Sequence, residues 1–138
     1  MADEHEVDGH LVAVLNEVLD AVYQAKQADW AASTSPHRAT LDELLAFLID
    51  QSGRLMIAEE RIEGRSPDVS PPSTHQRGNL VADAHGDVEL AISLLTERLD
   101  GVINDARARA ALIADSPEAS TLLELADGLE ARVRRLTT

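Results

Sequence analysis

Cysteine is absent from the chain, which excludes disulfides, thiolate zinc sites and a cysteine nucleophile together. Aromatic residues are almost as scarce: one Trp, one Tyr and one Phe in 138 residues. Sheet proteins of this size draw on more aromatics, and on more turn residues than the seven Gly and five Pro found here. Positive charge is short as well. Twelve Lys and Arg face 25 Asp and Glu, for a formal net charge of −13, and Lys26 is the single lysine. Counterion release from DNA needs clustered cations, and anionic lipid repels a chain of this sign, so neither nucleic acid nor a membrane is an expected partner. No apolar run approaches the roughly eighteen residues of a membrane span. The opening MADEHEVDGH lacks the basic and apolar regions of a signal peptide. A soluble cytoplasmic protein is the expectation.

What is present is Leu, Val, Ile and Ala at helical spacing. Apolar residues make up 44% and charged residues 27%, enough to bury one core in one domain spanning residues 1–138. Val7, Leu11, Val14, Leu15, Val18 and Val22 recur at three- and four-residue steps, predicting an amphipathic helix from about Val7 to Trp30. Ser33-Thr34-Ser35-Pro36-His37 interrupts it. Thr40-Leu41-Asp42-Glu43 then reads as a capping box, in which the Thr hydroxyl and the Glu carboxylate satisfy free N–H groups. The second helix presents Leu41, Leu44, Leu45, Leu48, Ile49, Ser52, Leu55, Met56, Glu59 and Ile62 on one face and closes at Gly64, a residue suited to the left-handed conformation.

Residues 65–74 hold three of the five Pro and form a Pro-rich loop. A short turn around Leu80 and Val81 precedes a third helix starting near Asp87, with Val88, Ile92, Leu95, Leu99, Val102, Ile103, Ala106, Ala110 and Ile113 in register. Asp115-Ser116-Pro117-Glu118 is the strongest start signal in the chain: a Ser cap, Pro in the first turn, then an acid. The fourth helix carries Leu122, Leu125, Leu129, Val133 and Leu136, with Arg132, Arg134 and Arg135 near its negative end. Short links within each half and a longer middle connection predict an all-α four-helix bundle with a ferritin-like crossover between helices 2 and 3.

Three stretches resemble Dps-type mini-ferritins. Lys26-Gln27-Ala28-Asp29-Trp30 is similar to the end of that family's first helix, Ile57-Ala58-Glu59-Glu60-Arg61-Ile62 to the end of its second, and Ala114 to Glu130 to its last turn and helix. The resemblance implies a homo-oligomer, a dodecameric shell that sequesters iron and protects against oxidative stress. It also implies a di-iron centre shared by two subunits, built from two His, an Asp and a Glu. Here the chain departs from the pattern. Asp29 stands at the first His, Leu41 or Asp42 at the second, Met56 at the Asp, and Glu60 alone matches. Asp29, Asp42 and Glu60 are therefore the candidate metal ligands, an oxygen-only set that impairs ferroxidase chemistry, since Met is a poor substitute for a bridging carboxylate. A mixed shell, in which a related subunit supplies the missing ligands, would restore it.

Plainer readings stand beside these. Asp29 next to Trp30 is either a ligand or a solvated acid at a helix end, and Glu59-Glu60 is either coordinating or a charged face. His5 and His10 sit five apart, a poor spacing for shared coordination, and read as surface residues. Asp83-Ala84-His85-Gly86-Asp87 could turn three polar groups toward an ion, yet such clusters more often cap backbone. Met56 reads as core. No G-x-G-x-x-G, P-loop or H-E-x-x-H occurs. The alternative to iron handling is a non-catalytic four-helix scaffold that binds a partner.

Overall fold

Helix α1 (Glu4–Ala31) starts three residues ahead of its apolar repeat. Asp3 is its N-cap, accepting from the Glu6 N–H at 2.8 Å, and Glu4 and Glu6 place negative charge against the positive end of the helix. Glu4 and Glu6 of the acidic opening thus belong to the helix's first turn, ahead of the expected start near Val7. The computed structural model describes residues 3–64 and 80–137. The Pro-rich loop expected at residues 65–74, and the part of the expected turn before Leu80, lie outside them.

Helix α2 (Arg38–Glu63) corrects the predicted capping box. Thr40 lies inside the helix, one turn too late to cap it. Ser35 Oγ accepts from the His37 N–H at 3.1 Å, and the Ser35 carbonyl accepts from Arg38 N–H at 3.2 Å, so winding begins directly behind Pro36. Gly64 closes the helix at φ 73, as its spacing implied. A single turn, α3 (Leu80–Asp83), leads through His85 and Gly86, both with positive φ, to α4 (Val88–Leu112). Asp87 caps α4 by accepting from the Leu90 N–H at 3.1 Å. Helix α5 (Glu118–Thr137) starts where the Ser-Pro-Glu signal placed it, but the Ser116 hydroxyl donates back to the Ile113 carbonyl at 2.8 Å instead of capping forward.

The four long helices form the all-α four-helix arrangement, and no strand occurs among the described residues. Helices α1 and α2 pack as one hairpin, α4 and α5 as another, with α1 against α4 and α2 against α5. Gln24 meets Arg98 and His10 meets Arg109, so α1 and α4 run antiparallel. Glu43 meets Arg135 while Phe47 meets Arg132, so α2 and α5 do too. The core is aliphatic: Leu11, Leu15, Leu41, Leu44, Leu48, Leu55, Leu95, Leu99, Leu122 and Leu125 are fully buried, each worth about 1.5–3 kcal/mol relative to exposure. One predicted core position is wrong: Ile49 is 49% exposed, because the helices packed on α2, α1 and α5, leave this edge of its apolar arc facing water.

Candidate functional site

Asp29 sits in the last turn of α1 and Asp42 in the second turn of α2. The hairpin folds those two turns together, and the two carboxyl groups come within hydrogen-bonding reach of each other. Asp29 is half-buried, and its Oδ1 is enclosed with no donor group pointing at it. Burial, and then the neighbouring Asp42 carboxyl, raise the Asp29 pKa, while the Arg38 guanidinium pulls it down. Arg38 stands 4.0 Å from Asp42 on the exposed side. Two carboxyls in this position either share a proton or share a cation. The donors are all oxygen, a set that suits hard divalent ions and discriminates weakly among them.

Glu60 is not part of this cluster within one chain. It lies five turns farther along α2, about 27 Å from Asp42 at 1.5 Å per residue, and it is exposed. Its neighbour Glu59 turns inward and is buried. Met56, at the position where the resemblance implies an Asp, packs against the hydrophobic core and offers nothing to the surface where Glu60 lies.

The other sequence candidates resolve into structural contacts. Asp83 forms an ion pair with Arg98 at 2.9 Å, Asp87 caps α4, and His85 is exposed. The Asp83–Asp87 segment therefore spends its carboxylates on packing and capping. His5 is exposed, as its spacing implied, but His10 is half-buried and its Nδ1 accepts from Arg109 at 3.0 Å. Arg109 also holds Asp105 at 2.7 Å. A hydrogen bond from Glu17 and the pull of Arg109 keep the Asp105 carboxyl below the usual range. A second buried polar contact lies in the same seam, where Gln24 donates to Asp20 at 2.6 Å and accepts from Arg98 at 2.7 Å. Sequence reasoning missed both. Their one signal is that Asp20, Gln24 and Glu17 recur on the α1 edge opposite the α2 contact, among otherwise aliphatic neighbours.

The arginines of α5 are equally engaged: Arg134 holds Glu130 at 2.7 Å, Arg135 holds Glu43, and Arg132 lies over the Phe47 ring at 3.9 Å. Among the described residues no helix is long and apolar enough to cross a membrane, and no group of three or more His, Cys, Asp or Glu gathers as a metal cage within one chain. Family models, curated proteins and solved structures were each compared with the chain, and none matches it.

Proposed function

We propose that the chain is a mini-ferritin-like subunit that gathers divalent cations, iron among them, at the Asp29–Asp42 carboxyl pair, with Glu60 of a second copy completing the ligand set. The observation that carries this is the pair itself. Asp29 stands at one position where the resemblance implies an imidazole ligand, and Asp42 is one of the two residues, with Leu41, that match the other. The hairpin brings the two acids together with one enclosed, donorless oxygen. An arrangement that only closed a bundle would gain nothing from placing two acids against each other, since like charges at this range destabilise the ionised pair.

Topology supports the same reading. His37 at the start of α2 contacts Glu89 at the start of α4 at 3.0 Å, so these helices run the same way, and the end of α2 and the start of α4 lie at opposite ends of the bundle. Fifteen extended residues reach about 50 Å, against about 39 Å for α2. A connection of that length is what a ferritin-like crossover would need, which favours this reading. In a homo-oligomeric shell the strong negative charge would concentrate cations at the surface. Oxygen ligands alone hold iron without the imidazoles that favour redox chemistry, so the role is sequestration, with ferroxidase activity impaired.

Anaerobic Fe²⁺ titration of the wild type, Asp29→Asn and Asp42→Asn tests it. Weak saturable binding, lost in either variant and competed by Mn²⁺ or Mg²⁺, is the expected result. Binding that ignores both substitutions overturns the site. One observation favours a second reading, the non-catalytic scaffold: Met56 fills core where the resemblance implies a bridging acid. A chain that assembles yet takes up no iron selects that reading.

A further inference from the structure

Helix α2 begins on a cation. Helices α1, α4 and α5 each carry an acid in the first turn, which suits the positive end of a helix. The first turn of α2 carries none, and its first residue is Arg38. The guanidinium turns back across the inter-helix loop, where its Nη1 donates to the Ser33 carbonyl at 3.2 Å. That carbonyl lies just past the negative end of α1, which has no basic residue in its last turn. The two helix ends therefore act on Arg38 in opposite senses and largely cancel. The helix ends alone give no reason to place one of only twelve cations here, in a chain with 25 acids.

The acid pair does. In the same pose the Arg38 Nε lies 4.0 Å from Asp42 Oδ2, and its charge is the one that draws Asp29 toward the ionised form. The neighbouring His37 is turned away, to Glu89 at 3.0 Å. We infer that Arg38 is the resident counter-ion of the Asp29–Asp42 pair, and that it keeps the pair's hold on metal weak by competing with divalent cations for the same two carboxyl groups. The distances suit a latch that opens. At 4.0 Å the contact to Asp42 is an ion pair and not a hydrogen bond, while the hydrogen bond to Ser33 parks the guanidinium beside the carboxyls. Arg38 and Asp42 are both more than half exposed, so a guanidinium that swings away stays hydrated.

With the guanidinium in place, part of the pair's negative charge is already answered, and a divalent ion entering the pair meets a like charge at ion-pair range. Exposed ion pairs are weak, which bounds the effect: removing the charge should tighten divalent binding about three- to fivefold, and more at low salt than at high. The competition rests on the reading of Asp29 and Asp42 as a cation site. The counter-ion role rests on the contacts of Arg38 and is tested without metal.

Calorimetric Mn²⁺ titration and thermal melting in EDTA, both on the full chain, test the two parts. Arg38→Gln should bind Mn²⁺ about three- to fivefold more tightly than the wild type, and Arg38→Lys, which keeps the charge, should stay within about twofold of it. Arg54→Gln is the control. It removes the same charge from α2 about 24 Å away, at 1.5 Å per residue, where Arg54 pairs with Asp50 at 3.0 Å. If Arg54→Gln tightens binding as much as Arg38→Gln, only net charge is at work and the inference falls. It falls equally if the wild type binds Mn²⁺ and Arg38→Gln binds it no more tightly. In EDTA, Arg38→Gln should lower the melting temperature of the wild type and leave that of the Asp29→Asn, Asp42→Asn double variant nearly unchanged, as a coupled group requires. Equal shifts in both backgrounds overturn the counter-ion. If no variant binds Mn²⁺, the cation reading and the competition fail together, and the melts in EDTA alone decide the counter-ion.

Discussion

Phe47 and Gly128 meet across the seam between α2 and α5 with no room for a methyl group: a Cβ on Gly128 would lie 2.5 Å from Phe47 Cζ. Arg132, one turn on, donates to the Gly128 carbonyl at 3.0 Å and lies over the Phe47 ring, whose tip is what meets Gly128. The chain's one phenylalanine is thereby fixed by a glycine at its tip and a guanidinium over its ring. Gly128→Ala gains about 1 kcal/mol of helix propensity and loses about 1–3 kcal/mol to overpacking, so a net loss of about 1 kcal/mol is expected in chemical denaturation. In a Phe47→Leu background the same substitution should stabilise. A stabilising Gly128→Ala in the wild type would show that the ring moves aside freely.

Leu95 and Leu99 are fully buried on α4. Either Leu→Ala change should cost about 2–5 kcal/mol, the transfer free energy plus the cavity left behind. Urea unfolding at a single temperature measures it, and a loss below about 0.5 kcal/mol, ordinary for surface positions, would mean that the surrounding helices collapse into the gap.

Two acids should respond to pH in opposite senses. The Asp29 pKa is raised by burial and by Asp42, so the native state binds the extra proton. The penalty is absent below the unfolded value near 3.8 and grows as pH rises through the folded one. Asp29→Asn should therefore raise the melting temperature at pH 7 and not at pH 3. Asp105, lowered chiefly by Glu17 and also by Arg109, contributes stability above its unfolded value that is lost as pH falls through the folded one. Asp105→Asn should lower the melting temperature at pH 7, with the gap closing in acid. Melting curves of both variants across this range decide the matter, and parallel shifts at all pH values would refute the assignment.

Duplex DNA should run unshifted with this protein at physiological salt. Arg107 is held by Glu130 and Asp127, Arg134 by Glu130 and Arg135 by Glu43, so these three arginines are already paired in a chain whose total charge is −13. Retardation abolished by Arg134→Ala with Arg135→Ala would show that those pairs open for phosphate.

Of the candidate site, the residue types and the hairpin were legible in the sequence, and their meeting was not. Asp29 and Asp42 are separated by an interrupted stretch whose winding had to be known before the two could be placed opposite each other. The helix start at Arg38 instead of Thr40 sets the register at which Asp42 enters the turn facing Asp29. Glu60 was legible as an acid at a helix end. That Glu59 and not Glu60 turns inward was legible too, since Glu59 falls in register with Leu41, Leu48 and Leu55 on the apolar face.

The sequence by itself determined that the chain is helical, where the helices stop, and that Leu, Val and Ile would form the core. Apolar spacing and the φ preferences of Gly64 and Gly86 act within a few residues, so a linear reading captures them. Tertiary structure alone decided the borders: Ile49 left in water, Gln24 taken out of it, and His10 bound to Arg109 across 99 positions of chain. A periodic pattern marks the centre of a buried stripe but not its width. The width is set by the angle at which neighbouring helices cross, and that angle is a property of all four helices at once.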